Sequence, residues 1–132
     1  MNETIEPRPK LLIVEDDDAT ALALRVMFHQ RTGWGALVAA TLAEARSLLE
    51  ERPNAVLLDL MLPDGCGEDL IDEIRDRCPG CRIVIVTALP EGGPRVARIA
   101  EERSPDRIVH KPYDIDELIA AVKGPNPLVP SP

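Results

Sequence analysis

Five positions in the sequence carry chemistry because of where they stand. Glu15-Asp16-Asp17-Asp18 follows the apolar run Leu11-Leu12-Ile13-Val14 at once. Asp59 follows Ala55-Val56-Leu57-Leu58 and leads into a Pro63-Asp64-Gly65 turn. Thr87 ends Ile83-Val84-Ile85-Val86, and Lys111 stands just beyond Ile108-Val109. Carboxylates held close together repel, so staying ionised costs free energy. A hard divalent cation relieves that repulsion, and Mg²⁺ is suited by a couple of carboxylates plus waters. A carboxylate is also a competent nucleophile toward phosphorus. Phosphoryl transfer depends mainly on positioning and on neutralising charge on the transferred oxygens. The Thr87 hydroxyl and the Lys111 ammonium would each bind a phosphoryl oxygen, and a charge-assisted hydrogen bond of this type contributes about 1.5–3 kcal/mol. Taken singly, each residue has an ordinary structural explanation: a cap, a turn residue, a β-branched strand end, a solvated lysine. Together they point to a site, because four of five apolar runs end in complementary chemistry.

Those runs must be positioned by the rest of the chain. Short apolar runs bounded by turn signals read as strands buried on both faces. Five are expected: Leu11–Val14, Ala36–Ala40, the stretch into Asp59, Ile83–Val86 and Ile108-Val109. Five helices alternate with them. The first spans about Ala19 to Arg31, with Leu24, Met27 and Phe28 inward and the acidic run at its N-terminus, where the macrodipole favours negative charge; Asp17 or Asp18 is its candidate cap. Thr41 caps the second, with Glu44 completing a capping box, and Pro53 ends it. The third carries Leu70, Ile71, Ile74 and Cys78 and stops at Pro79-Gly80. The fourth, Arg95 to Arg103, has a weak apolar stripe of Val96, Ile99 and Ala100. The fifth starts at Asp114, with Glu117 at the capping-box offset, and stops at Gly124. Strands without alternation, joined by helical crossovers, imply a parallel α/β sheet covered on both faces. Right-handed crossovers bring the polar strand ends to one edge, where such sheets bind ligands.

Composition narrows the function. A length of 132 residues favours one domain with a real core. The formal net charge of −8 argues against bulk electrostatic binding to nucleic acid and fits a cation site or a basic partner. Aromatics are only 2%, too few for stacking platforms. No stretch approaches the roughly 20 apolar residues of a membrane span. The polar, proline-bearing start, Met1 to Lys10, does not read as a signal peptide, so the cytoplasm is the expected location. Cys78-Pro79-Gly80-Cys81 has redox spacing, but a helix precedes it and a strand follows, the reverse of the order that activates such a thiol. Residues 1–9 read as a lead-in and 124–132, proline-rich, as a tail or linker.

In this order, Leu12-Ile13-Val14-Glu15-Asp16-Asp17, Leu57-Leu58-Asp59-Leu60-Met61-Leu62-Pro63-Asp64-Gly65, Val86-Thr87-Ala88 and Lys111-Pro112-Tyr113 resemble the receiver domain of two-component response regulators, over about residues 10–123. The resemblance implies a flavodoxin-like three-layer fold with strand order 2-1-3-4-5. It implies that Asp59 is the phosphoacceptor, charged by a phosphohistidine on a sensor histidine kinase or a histidine phosphotransfer protein. Asp16 would then ligate Mg²⁺ directly, Glu15 through water and Met61 through its backbone carbonyl, with Thr87 and Lys111 on the phosphoryl group. It also implies a cis bond between Lys111 and Pro112, and a signalling module rather than an enzyme.

Two places depart from the family pattern. Ile108 stands where receivers usually carry a Tyr or Phe whose ring turns inward when the threonine moves. Ser104-Pro105 stands where Gly-Ala is common. With the unusual Pro90-to-Pro94 loop, these residues lead to the expectation of intact phosphorylation chemistry with a muted read-out. Two alternatives stay open at this level: a degenerate receiver acting as a constitutive binding module, and a haloacid-dehalogenase-type phosphatase. The second class needs an acid two residues beyond its nucleophile, where this chain has Met61. A third possibility is an output region beyond Pro132.

Overall fold

The apolar runs at 11–14, 55–58 and 83–86 have no solvent face: every residue in them is buried. The computed structural model describes residues 8–124. In it these runs form the three inner strands of a five-stranded parallel sheet, β1 (Lys10–Val14), β3 (Ala55–Asp59) and β6 (Arg82–Thr87), flanked by β2 (Gly35–Ala39) and β7 (Arg107–His110). The order is β2-β1-β3-β6-β7, which is 2-1-3-4-5 when only the strands of this sheet are counted. The register places Val14 beside both Ala39 and Leu58, and Asp59 beside Val86. Strand ends therefore finish on one edge.

Helices α1 (Asp18–Thr32), α2 (Leu42–Leu48), α3 (Ile71–Arg77) and α4 (Pro94–Glu102) connect the strands, and α5 (Ile115–Lys123) follows the last one. Alternate strand residues feed two cores. Leu11, Ile13, Leu57 and Val84 meet Leu24 and Phe28 of α1 and Leu118 and Val122 of α5. Leu12, Val14, Leu58 and Ile85 meet Leu42, Ile71, Ile74 and Ile99 on the other face. This two-sided burial is why the inner strands read as continuous apolar runs.

Local signals explain most element ends, with some corrections. Asp17 caps α1, accepting from Thr20 N at 2.9 Å, and Gly33 closes it in the left-handed region at φ 76°. Thr41 caps α2, accepting from Glu44 N at 3.1 Å, but the Glu44 carboxylate reaches Ala40 N (2.7 Å) instead of the Thr41 N–H, so the expected box is displaced by one residue. Asp114 caps α5 by accepting from Asp116 N at 2.9 Å, with no return bond from Glu117 among the described residues. Ala100, expected inward on α4, is exposed; the buried positions are Val96 and Ile99. Ser104 takes φ 45°, the left-handed position after a helix that glycine usually fills. The Lys111-Pro112 bond is cis. The tail at 125–132 and most of the lead-in lie outside the described residues.

The Pro-Asp-Gly turn belongs to a small hairpin that the sequence did not announce, β4 (Met61–Leu62) paired antiparallel with β5 (Gly65–Cys66). Asp64 at its tip accepts from Leu42 N (2.8 Å) and Ala43 N (3.1 Å), so it serves as a second cap of α2. After the hairpin the chain turns back sharply. A Cβ on Gly67 would stand 2.0 Å from the carbonyl oxygen of Asp59, so only glycine fits there.

Candidate functional site

The site starts from the last residues of β1 and β3. Strand β1 ends at Val14, so Glu15 and Asp16 leave the sheet beside the end of β3, where Asp59 is the terminal residue. Carboxylate oxygens of Glu15, Asp16 and Asp59 all lie within 4.8 Å of one another, the one such acidic group among the described residues. Glu15 and Asp59 are buried, each 8% exposed, while Asp16 is open to solvent. Asp17, the third acid of the run, turns away to cap α1.

Two of the three carboxylates are fixed from behind. Met61 N donates to Asp59 Oδ1 at 3.0 Å, and Asp17 N donates to Glu15 Oε2 at 3.0 Å. Lys111, delivered by the end of β7, places Nζ 3.0 Å from Asp59 Oδ2 and 3.7 Å from Glu15 Oε1. Burial pushes the Glu15 carboxyl above the ordinary glutamate range; the Asp17 N–H opposes this and the charge on Asp59 adds to it. Burial alone would lower the Lys111 ammonium, but its hydrogen bond and charge contact with Asp59 outweigh that and raise it. The cluster thus holds more negative charge than one lysine neutralises, with an open side at Asp16. Hard oxygen donors, two of them backed by N–H groups, suit Mg²⁺. Asp16, Glu15 and Asp59 are the side chains that would hold the ion, with the Met61 backbone next to Asp59.

Thr87 ends β6, is 1% exposed, and its hydroxyl oxygen accepts from Leu89 N at 3.0 Å, which leaves the hydroxyl proton to donate elsewhere. His110 Nδ1 lies 2.9 Å from the Leu89 carbonyl and ties the end of β7 to the same loop. Ile108 is half-buried against the core face that includes Ile99. The sheet edge therefore gathers Glu15, Asp16, Asp59 and Lys111 directly, and holds Thr87 at the end of the strand between Asp59 and Lys111.

Cys78 and Cys81 take no part. Cys78 is buried with Sγ 3.4 Å from the Leu49 carbonyl, Cys81 is free, and burial pushes the Cys81 thiol up to about 12, the opposite of an activated thiolate.

Sequence reading passed over a basic group behind the acidic loop. Arg95, on the first turn of α4, donates Nε to Glu68 Oε2 (2.8 Å) and Nη2 to Glu68 Oε1 (2.7 Å). The same Nη2 reaches the carbonyl oxygen of Leu60 at 3.1 Å. A Glu and an Arg separated by 27 positions give no periodic signal, so only the fold pairs them.

The family model described as response regulator receiver domain matches residues 11–123. Among curated proteins, the photosynthetic apparatus regulatory protein RegA of Cereibacter sphaeroides is 32% identical over 123 residues, covering 92% of this chain and 65% of RegA. The sporulation initiation phosphotransferase F of Bacillus subtilis is 32% identical over 122 residues, covering 90% of this chain and 94% of that protein. A crystal structure of a response regulator protein from Burkholderia pseudomallei, with a phosphorylated aspartic acid, calcium ion and citrate, superposes with TM-score 0.78 at 25% identity, covering 86% of this chain and 66% of that one. The chain spans 49 to 67% of the length of the first three curated relatives it matches.

Proposed function

The chain belongs to the response regulator receiver domain family of two-component signalling, and from that footing we propose that residues 10–123 form a phosphoryl-carrying domain in which Asp59 is the single acceptor. The observation that supports it is the setting of Asp59: a carboxylate at a strand end, held by the Met61 N–H and Lys111, within 4.8 Å of two further acids.

In this reading an Asp59 oxygen attacks the phosphorus of a phosphohistidine on a sensor kinase or phosphotransfer protein. The P–N bond breaks, its electron pair returns to the imidazole, and the product is an acyl phosphate on Asp59. Asp16 and Asp59 with the Met61 carbonyl, and Glu15 through water, would hold Mg²⁺, which would supply charge neutralisation on the phosphoryl oxygens. Lys111, already 3.0 Å from Asp59, moves with its charge onto one transferred oxygen. The buried Thr87 hydroxyl donates its free proton to another. The aspartyl phosphate of the similar Burkholderia protein supports the acceptor assignment.

No described helix is long and apolar enough to cross a membrane; the domain acts in the cytoplasm, with a phosphohistidine protein upstream and a protein target downstream, and without binding nucleic acid itself. It carries a phosphoryl group and does not turn over a substrate of its own. Incubation with acetyl phosphate and Mg²⁺, followed by intact-mass measurement, should give one phosphoryl adduct that Asp59→Asn abolishes. An adduct that persists in Asp59→Asn overturns the assignment, and multiple turnover of a small phosphomonoester would place the chain among phosphatases instead.

A further inference from the structure

The backbone that carries Asp59 is gripped from outside its own loop. The Leu60 carbonyl, next in the chain, accepts from Gly67 N at 2.9 Å and from Arg95 Nη2 at 3.1 Å. Leu60 is 1% exposed, so this carbonyl has little water to fall back on. Arg95 is itself aimed by Glu68, whose two oxygens hold Nε and Nη2 as a fork at 2.8 and 2.7 Å. The Glu68 side chain is only 15% exposed and that of Arg95 31%, so the pair is partly shielded from competing water. A bidentate guanidinium–carboxylate pair fixes orientation as well as distance. Arg95 sits on the first turn of α4, after Pro94 at its start. One side chain therefore joins the N-terminus of α4, the start of the segment leading into α3, and the peptide bond between Leu60 and Met61.

We propose that Arg95 is a positioning residue for phosphoryl transfer: clasped by Glu68, it holds the Leu60 carbonyl and so sets the Asp59–Met61 backbone that presents the acceptor and its Met61 N–H. The proposal rests on Asp59 being the acceptor. It has a second consequence, because a tie between two elements is reciprocal: rearrangement at residues 59–61 is felt at the start of α4 without passing through β7 and Ile108.

The structure supplies an internal control. Arg103, at the far end of α4, makes a second bridge to the α3 side, to Asp72 (3.0 Å) and the Glu68 carbonyl (3.2 Å), but does not touch Leu60. If Arg95 mattered only by tethering helices, loss of either arginine would act alike.

The test measures the rate of adduct formation from acetyl phosphate and Mg²⁺, together with backbone amide shifts without Mg²⁺. Arg95→Gln should slow the rate about tenfold, the scale of loss seen when a supporting shell is loosened, and should shift the Leu60, Met61 and Gly67 amides. Arg95→Lys keeps the charge but loses the fork, so it should keep the fold, as judged by thermal melting, and still lose most of the rate. Arg103→Gln should leave the rate at the wild-type value. A wild-type rate in Arg95→Gln or Arg95→Lys, or an equal fall in Arg103→Gln, overturns the proposal. If the wild-type protein takes no phosphate, the acceptor reading fails instead. The amide shifts then judge Arg95 alone, and unchanged Leu60 and Met61 signals in Arg95→Gln overturn it.

Discussion

At the scale of single residues, neighbouring acids with the same charge divide the work by direction. Asp16 points into the cluster with Glu15 and Asp59, while Asp17 accepts from both the backbone N–H and the hydroxyl of Thr20. Those two bonds hold the Asp17 carboxyl below the ordinary aspartate range, so it is a structural anion at neutral pH. Asp16→Asn should therefore weaken Mg²⁺ binding by about tenfold or more, on the scale for disturbing a metal's supporting groups. Asp17→Asn should leave binding near wild type, since asparagine is as good a cap. Calorimetric titration of both variants with Mg²⁺ checks this, and a larger loss in Asp17→Asn would show the acidic run to be out of register by one.

At the scale of elements, α4 is joined to the acceptor loop by charge as much as by packing. Its buried apolar contribution is Val96 and Ile99, while Arg95 and Arg103 bind Glu68 and Asp72. Burial would raise the Glu68 carboxyl, but its hydrogen bonds and charge contact with Arg95 outweigh that, and its pKa lies below the ordinary 4.5. A carboxyl whose folded pKa is depressed adds stability that is fully present above its unfolded value and is lost as pH falls through the folded one. The wild-type protein should therefore melt above Glu68→Gln at neutral pH, and the gap should close as pH falls below about 4.5, the ordinary glutamate value. Melting curves of both proteins from neutral pH downward check it; a gap independent of pH would mean that the Glu68 charge contributes nothing.

At the scale of the whole molecule, the question is how far a change at Asp59 travels. In the proposed role of Asp59, a phosphoryl group there would draw the Thr87 hydroxyl toward it, at the expense of the bond that hydroxyl accepts from Leu89 N. Space opened behind Thr87 can drive β7 only if a side chain there moves into it. Ile108 is β-branched, with few accessible rotamers, and already packs against the core face that holds Ile99. Its inward and outward positions should differ less than those of a ring, so the free-energy difference available to shift β7 should be small, whereas inverting a two-state equilibrium takes several kcal/mol. Beryllofluoride plus Mg²⁺ should therefore shift the amides around Asp59 and Thr87 strongly and those of β7 and α5 weakly. Large shifts spreading through Ile108 into α5 would show that isoleucine fully replaces the ring.

The sequence by itself determined the architecture and the ingredients of the site, because both are local. Continuous apolar runs such as Ile83–Val86 can satisfy their side chains only with cover on both faces, and helices between them force parallel pairing. Chain position alone then puts Glu15, Asp59, Thr87 and Lys111 at strand ends. What the tertiary structure decided was which neighbours in space share a task. The choice of Asp16 over Asp17 depends on how α1 starts. The second cap that Asp64 gives α2 depends on the β4–β5 hairpin folding against Leu42. The reach of Arg95 to Leu60 O depends on the fold bringing the first turn of α4 to the turn at Gly67, whose missing side chain lets the backbone close to Asp59. Partners 22 to 35 residues apart leave no periodic trace in a sequence, because an ion pair or a cap fixes distance in space and leaves the intervening chain unconstrained.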